Sequence, residues 1–409
     1  MTASTSLISV ASGSSARAQA STDAAPVAMV CNCLPPYRVH LHRRIARELP
    51  EIKLWTVLTG EDARWADEPP AEIRPIWFGR GPENAHRGLS RLLVDWRRAG
   101  QIIRWLRMER VRALVITGYN NAGLLRLIFW SHRVSLPCFI WGDSNINDDS
   151  VHGIKSAVKR LILPRLLRRA AGVMPCGRLG KEYFSRYQVP AERMFLFPLE
   201  ADTQLIRGML PEQVAEHCRK FGLAPHRKRL LFSGRLVECK RVDHLIEAFN
   251  VVAARRPEWD LVVAGDGPLA VELRRRVTAS LAGRVLWLGH IQDQAALAAV
   301  YRGCDVLVLP SQQERWALVI QEAVAAGIAV VSSSVPGAAA ELVRDGANGR
   351  IYPPGDVAAL EECLLNVTDP DRIVAMKAAS AVVMADWERD CDPIHGLQEA
   401  LRYGGVLGP

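Results

Sequence analysis

Short apolar runs separated by amphipathic stretches organise this chain. Val27–Cys31, Lys53–Leu58, Arg112–Thr117, Cys138–Trp141 and Gly172–Pro175 read as strands. Tyr37–Leu49, a long segment around Leu92–Glu109, and Ile154–Arg169, interrupted at Pro164, carry helical spacing, and a further helix follows Pro175. From Gly60 to Leu89 the sequence is polar and proline-bearing, with no strand predicted. Residues 200–227 turn polar and irregular, as a linker would. The alternation then restarts. Strands at Arg229–Phe232, Trp259–Ala264, Val285–Leu288, Val306–Leu309 and Ala329–Ser332 alternate with helices near 241–255, 268–280, 294–302, 318–326 and 356–366.

Nearly continuous apolar strands between helices predict parallel sheets covered on both faces. The expected fold class is α/β, with two Rossmann-like doubly wound parallel-sheet domains facing a cleft. The expected division is a disordered tail at 1–25, an N-terminal domain at 26–200, a linker at 201–227 and a C-terminal domain at 228–385. A helical segment at 386–409 is expected to be able to pack back on the N-terminal domain.

Composition narrows the class. Of 409 residues, 49% are hydrophobic and 23% charged, which excludes a disordered chain. No apolar run reaches the ~18 residues of a spanning helix. The first 25 residues are rich in Ser, Ala and Thr and lack the basic start and apolar stretch of a signal peptide, so a cytoplasmic protein is expected. The nine cysteines show no CxxC…CxxC spacing and are expected to be reduced and structural. Residues 1–200 hold 29 Lys and Arg against 17 Asp and Glu, whereas the remainder is slightly acidic. The first half is thus expected to face something anionic: nucleic acid, a membrane surface or a phosphorylated substrate. A nucleic-acid recognition motif is missing, and no nucleic-acid partner is expected.

Ligands of open parallel sheets bind at the carboxyl ends of the strands, and in the second half those ends are chemically marked. Strand Leu230–Phe232 runs into Ser233-Gly234, with Arg235 and Lys240 bracketing the turn before a helix. Gly234 permits close backbone approach, and a planar guanidinium with a compact ammonium suits a diphosphate. On spacing alone, a solvated basic helix start is the plain alternative. Gly265-Asp266-Gly267-Pro268 follows Leu261–Ala264 as a tight turn, and a bare turn is its plain alternative. Strand Val306–Leu309 stops at Pro310-Ser311; its loop carries Glu314, and the apolar helix after it carries Glu322. A carboxylate in that helix needs a hydroxyl or amide partner, such as a ribose, sugar or local backbone group.

These elements, in this order, carry a resemblance. The G-R-L-x3-K segment, the G-D-G-P turn, the Y-x2-C-D-V-L-V-L-P-S strand, the E-x7-E pair and the Asp345-Gly346-x-Asn348-Gly349 turn resemble the nucleotide-binding domain of retaining glycosyltransferases of family 4, the group 1 glycosyltransferases of GT-B fold. The likeness is tight over about 130 residues, 228–355, and loose over the first domain. It implies a donor site of Gly234, Arg235, Lys240, Gly265, Asp266, His290, Ile291, Glu314, Trp316, Ala317, Leu318 and Glu322. Arg235 and Lys240 would hold and neutralise the leaving diphosphate, and Glu322 would take the donor ribose. Glu314 would contact the transferred sugar, with the amides of Trp316, Ala317 and Leu318 close to sugar and phosphate. The segment Gly289-His290-Ile291 would lie along the base.

The resemblance further implies no cofactor or metal beyond the nucleotide diphosphate sugar, with UDP favoured over GDP, and retention of anomeric configuration. The acceptor would be a carbohydrate or a lipid-diphosphate-linked one, in polysaccharide or glycolipid assembly. Three positions depart from the family pattern: Ala317 and Arg241 stand where glycine is usual, and Asp143 stands where the first domain often has a histidine. Asp143 is therefore the catalytic candidate beside Glu314, Arg235 and Lys240; His40, His42 and His152 are the other candidates.

Asn32–Arg38, at the end of the first strand, faces the cleft from the acceptor side and suits a sugar or phosphate, or is a plain turn. Arg160, Arg165, Arg168 and Arg169, interleaved with leucines, make either a solvated helix face or a contact with anionic lipid. Asp369-Pro370-Asp371 reads as a helix cap, and Asp148-Asp149 has no neighbouring metal-ligand set. Two other functions compete: a nucleotide-sugar epimerase, against which the E-x7-E pair weighs, and a catalytically degenerate GT-B binding protein.

Overall fold

The computed structural model describes residues 24–60, 73, 75–79, 89–147, 149 and 153–408. The first sheet comprises β1 (Ala25–Cys31), β2 (Ile52–Leu58), β3 (Pro75–Trp77), β4 (Ala113–Thr117), β5 (Cys138–Gly142) and β6 (Gly172–Pro175) in the order β3-β2-β1-β4-β5-β6. The second comprises β7 (Lys228–Ser233), β8 (Trp259–Ala264), β9 (Val285–Gly289), β10 (Val306–Leu309), β11 (Ala329–Ser333) and β12 (Gly349–Tyr352) in the order β12-β11-β10-β7-β8-β9. Every registered strand pair is parallel. All residues of β8, β10 and β11 are buried, as sheets sandwiched between helical layers require. In each sheet the order of connection reverses beside its first strand, between β1 and β4 and between β7 and β10. A doubly wound sheet opens a crevice there, at the carboxyl ends.

The structure corrects several sequence expectations. β3 and β12 are three- and four-residue edge strands too short for a periodicity to emerge. Helix Ala122–Arg133, also unpredicted, starts at Asn121, whose side chain accepts from the Leu124 amide. Helix Gly153–Leu167 runs through Pro164 without interruption. The segment expected as a 201–227 linker holds two helices, Thr203–Gly208 and Pro211–Lys220, packed on the second domain, where the Cys218 thiol approaches the Ala299 carbonyl. β1 already begins at Ala25, one residue inside the expected tail, and residues 1–23 lie outside the described residues.

The boundary expected at 385/386 falls inside helix Pro370–Asp390, which Asp369 caps by accepting from the Asp371 amide. The chain breaks after that helix, and helix Pro393–Tyr403 returns to the first domain. Gly396 lies so close to the Leu196 carbonyl that a Cβ would stand 1.6 Å from it, and the Tyr403 ring meets Phe195 at 5.4 Å. All nine cysteines are free thiols, most of them buried. Among the described residues no helix is long and apolar enough to cross a membrane.

Candidate functional site

Two backbone turns shape the floor at the β7 end. Gly234 has φ +151° and Gly265 has φ +150°. The Gly234 amide donates to the Ala264 carbonyl at 3.0 Å and the Leu236 amide to the Asp266 carbonyl at 2.9 Å. A Cβ on Gly265 would fall 1.8 Å from the Gly234 oxygen, and one on Gly267 2.4 Å from the Leu236 oxygen. The two loops therefore lie backbone against backbone, which only glycine allows. Above them Arg235 is exposed, and its guanidinium has no hydrogen bond or ion pair with the described residues. Gly265 also donates to the Gly289 carbonyl at 2.7 Å, which places His290 and Ile291 beside the same turn; His290 is exposed and Ile291 half-buried.

Lys240 ends a short turn after β7, and its ammonium pairs with the Glu314 carboxylate from the loop after β10. The sequence separates these groups by 74 positions; adjacency of β7 and β10 joins them. Beyond Glu314 the chain takes a left-handed turn at Ala317, φ 74°, before helix Leu318–Ala325. Arg241, φ 50°, is also left-handed and precedes helix Val242–Arg255; its guanidinium is held by Asp243. Both positions at which this chain lacks the usual glycine are thus left-handed. Glu322, one helical turn into the next helix, accepts from the Tyr301 hydroxyl at 2.6 Å. Burial holds the Glu322 carboxyl above its usual range and the Tyr301 hydroxyl well above its own. The Trp316 side chain is buried, stacked obliquely on Trp387 at 5.8 Å and seated against Gly177 of the first domain.

The first domain faces this assembly across a cavity of about 650 Å³, lined at the β1/β4 crevice by Arg38 and Tyr119, at the β5 end by Trp141 and Asp143, and from the second domain by Gln313 and Arg315. Gln313 and Arg315 flank Glu314, so the cavity and the Glu314 loop are contiguous. Asp143 lies 3.5 Å from the Arg315 guanidinium. Buried Asn145 crosses the domain boundary: its amide donates to the carbonyls of Glu314 at 3.1 Å, Arg315 at 2.6 Å and Val335 at 3.3 Å. Asn147 donates to the Ser334 carbonyl, and Glu341 accepts from the Arg178 amide at the start of a first-domain helix. Sequence reasoning missed Asn145, Tyr301 and the wedge formed by Trp316, because their partners lie in other elements.

The histidine candidates fall elsewhere. His42 is in the core, bonded to the Thr56 hydroxyl at 2.7 Å, and His40 sits behind the cleft near Glu200 and Asp202. His152 and Asp148 lie outside the described residues; Asp149 is paired with Lys159 at 2.7 Å. Among the described residues no three His, Cys, Asp or Glu side chains converge as a metal-ligand set.

Residues 227–369 match the family described as "Glycosyl transferases group 1", and residues 13–200 match "Glycosyl transferase 4-like domain". An exopolysaccharide phosphotransferase of Streptomyces coelicolor is 31% identical over 39% of this chain and 18% of its own length. An alpha-D-kanosaminyltransferase of Streptomyces kanamyceticus is 28% identical over 53% of this chain and 55% of its own. The matches span about half, or less, of the length of these curated relatives. Among solved structures, HepE of Anabaena, determined with UDP and glucose, superposes with TM-score 0.72 at 18% identity over 94% of this chain and 100% of its own. Sucrose-phosphate synthase of Thermosynechococcus elongatus does so with TM-score 0.71 at 19% identity, over 93% and 99%. These structures share the fold.

Proposed function

Since this chain belongs to the group 1 glycosyl transferases of GT-B fold, we propose that it transfers a sugar from a nucleotide diphosphate sugar to a carbohydrate or lipid-linked acceptor, with retention of configuration. The observation that carries the proposal is the Lys240–Glu314 pair at the carboxyl ends of β7 and β10, with Arg235 and Glu322 on the segments that follow the same two strands and two glycine-lined turns beside β7.

Each group has a role that its chemistry suits. Charge grows on the leaving diphosphate as the bond from the anomeric carbon to phosphate oxygen breaks. Arg235 and Lys240 supply fixed cations at that point and take the part that a divalent metal plays elsewhere, so transfer is metal-independent. Glu314 neutralises Lys240 and accepts from hydroxyls of the transferred sugar. Glu322, oriented by Tyr301, keeps an oxygen for the ribose. The acceptor hydroxyl approaches the anomeric carbon on the face that the diphosphate leaves. Its oxygen forms the new bond, and its proton passes to the leaving phosphate oxygen. Asp143, held by Arg315, lies on the acceptor side and orients that hydroxyl.

The donor base is proposed to be uracil, with guanine the alternative that one experiment separates. In a thermal-shift panel of UDP, GDP, ADP, TDP and CMP, with and without magnesium, a ligand at 100 times its dissociation constant stabilises the fold by about 2.7 kcal/mol. A metal-independent shift with one diphosphate is the expected result. No shift with any of them would favour the degenerate binding protein.

The acceptor domain is further proposed to rest on an anionic membrane surface. On helix Gly153–Leu167, Leu161 and Ile162 are 60% and 58% exposed, with Arg160, Arg165, Arg168 and Arg169 exposed around them. The Arg169 guanidinium covers exposed Phe129, and Arg126 covers exposed Trp96 on the neighbouring helix. Apolar side chains among arginines suit the boundary between headgroups and acyl chains.

A further inference from the structure

Among the described residues, four cations and two carboxylates line the cavity between the domains. Three of those cations have an acid nearby. Lys159 meets Asp149 at 2.7 Å, Arg315 meets Asp143 at 3.5 Å, and Arg91 lies 4.0 Å from Asp95. Arg38 is different: among the described residues no carboxylate lies within ion-pair distance of it, and the Asp143 charge acts on it only from farther off. It is also the most enclosed of the four, set in the first turn of helix Pro36–Glu48 directly beyond β1.

The Arg38 guanidinium is nevertheless held in place. One nitrogen, Nη1, donates to the Asn32 side chain at 3.0 Å and to the Cys33 carbonyl at 2.9 Å. The rings of Tyr37 and Trp141 lie 5.8 and 5.5 Å from its centre. Its Nε is buried without a hydrogen-bond partner. An enclosed guanidinium fixed by neutral groups, with donors to spare, is built to receive an anion, because leaving that charge unpaired is costly. Two parallel N–H donors match two oxygens of a phosphate group.

We infer that Arg38 is the anchor of an anion subsite, and that the acceptor enters this cavity carrying a phosphate group on Arg38. The inference rests on the glycosyl-transfer reading for the word acceptor, and on the geometry above for the site. Arg38 is then the one lining cation without an ion-pair partner among the described residues, and the oxygens of a phosphate ester would pair with it. A sugar phosphate and the headgroup of a phospholipid both present this chemistry.

The test is calorimetric titration of the full chain with a hexose 6-phosphate, with glycerol 3-phosphate as a headgroup fragment, and with the unphosphorylated hexose, each with UDP titrated in parallel. The variants are Arg38→Gln, which removes the charge, and Asn32→Asp, which supplies an internal carboxylate against Nη1 and leaves the arginine in place. The expected result is binding of at least one phosphate ester and not of the neutral sugar, weakened about 10- to 100-fold in both variants, with UDP affinity within about twofold of the parent. Preference for one ester identifies the source of the phosphate. Equal ester binding in parent and Asn32→Asp, or no ester binding by the parent, overturns the inference. A parallel fall in UDP affinity also overturns it, since Arg38 would then serve the donor diphosphate. If UDP fails to bind the parent while the esters bind through Arg38, the anion subsite stands and the transfer reading falls.

Discussion

The side-chain amide of Asn145 donates to the main-chain carbonyl of Arg315 at 2.6 Å, although the two residues belong to different domains. The same amide reaches the Glu314 and Val335 carbonyls, so a residue at the end of β5 fixes the loop that presents Glu314 to Lys240. The two domains are thereby joined at the cavity edge and not only at the chain crossing behind it.

Asn145→Ala is expected to leave buried carbonyls without their donor, which costs about 1–3 kcal/mol. Since the proposed nucleotide contacts lie in the second domain, UDP affinity should change less than about threefold, whereas kcat should fall by about tenfold or more. Steady-state kinetics alongside nucleotide titration separates the two effects. Equal losses in both would mean that Asn145 serves only to hold the fold.

Arg235→Ala removes the proposed charge-assisted contact with the diphosphate and should weaken nucleotide affinity about 10- to 100-fold with an unchanged melting temperature. Arg235 has no partner among the described residues, so its loss disturbs nothing else in the unliganded protein. Lys240→Ala differs, because it also leaves the Glu314 carboxylate without its cation. Titration of both variants with the diphosphate found in the panel is the measurement.

Ala317→Gly should stabilise the protein. A non-glycine residue at φ 74° carries left-handed strain of about 1–2 kcal/mol, which glycine relieves at some cost in unfolded-chain entropy. A net gain of about 1 kcal/mol would raise the melting temperature by about 2–4 °C. Gly265→Ala is the opposite case: its Cβ would overlap the Gly234 oxygen, and both stability and nucleotide binding should fall.

Acid sensitivity should trace in part to His42. Burial, with the nearby Arg38 charge, depresses its pKa from 6.5 to about 3. Below pH 6.5 the unfolded chain therefore takes up a proton that the folded chain refuses, and stability falls with pH until about pH 3. By pH 5 the loss from this one group is about 2 kcal/mol. His42→Gln, which cannot titrate, should lose less stability between pH 7 and pH 5 in urea unfolding. An identical loss in parent and variant would assign the acid sensitivity to other groups.

Charge reversal of Arg165, Arg168 and Arg169 should reduce sedimentation with vesicles of anionic phospholipid. At about 1 kcal/mol for each basic residue at such a surface, the triple variant should bind roughly 100-fold more weakly. Unchanged binding would return this helix face to the solvent.

Much of the architecture was legible before any coordinates. Unbroken apolar runs such as Leu261–Ala264 and Val306–Leu309 announce strands buried on both faces, and the alternation with helices yields two doubly wound sheets. Elements without such a signal were lost. β3 and β12 are too short for a pattern, and Pro164 sits in a helix whose packing outweighs the hydrogen bond it removes. Helices within 203–220 contain few apolar residues because only one narrow face is covered.

Local chemistry was legible in the same way: glycines where two loops touch, and a lysine, an arginine and two glutamates near strand ends. Which of them meet is another matter. Lys240 reaches Glu314 because β7 and β10 are neighbours, Glu322 finds Tyr301 on an adjacent helix, and Asn145 reaches into the other domain. Periodicity and turn chemistry are properties of neighbouring residues, so the sequence by itself determined the elements and the residue types available to the site. Pairing across tens to hundreds of positions depends on strand order and domain docking, so only the tertiary structure decided which charges are paired and which, like Arg38, are left for a ligand.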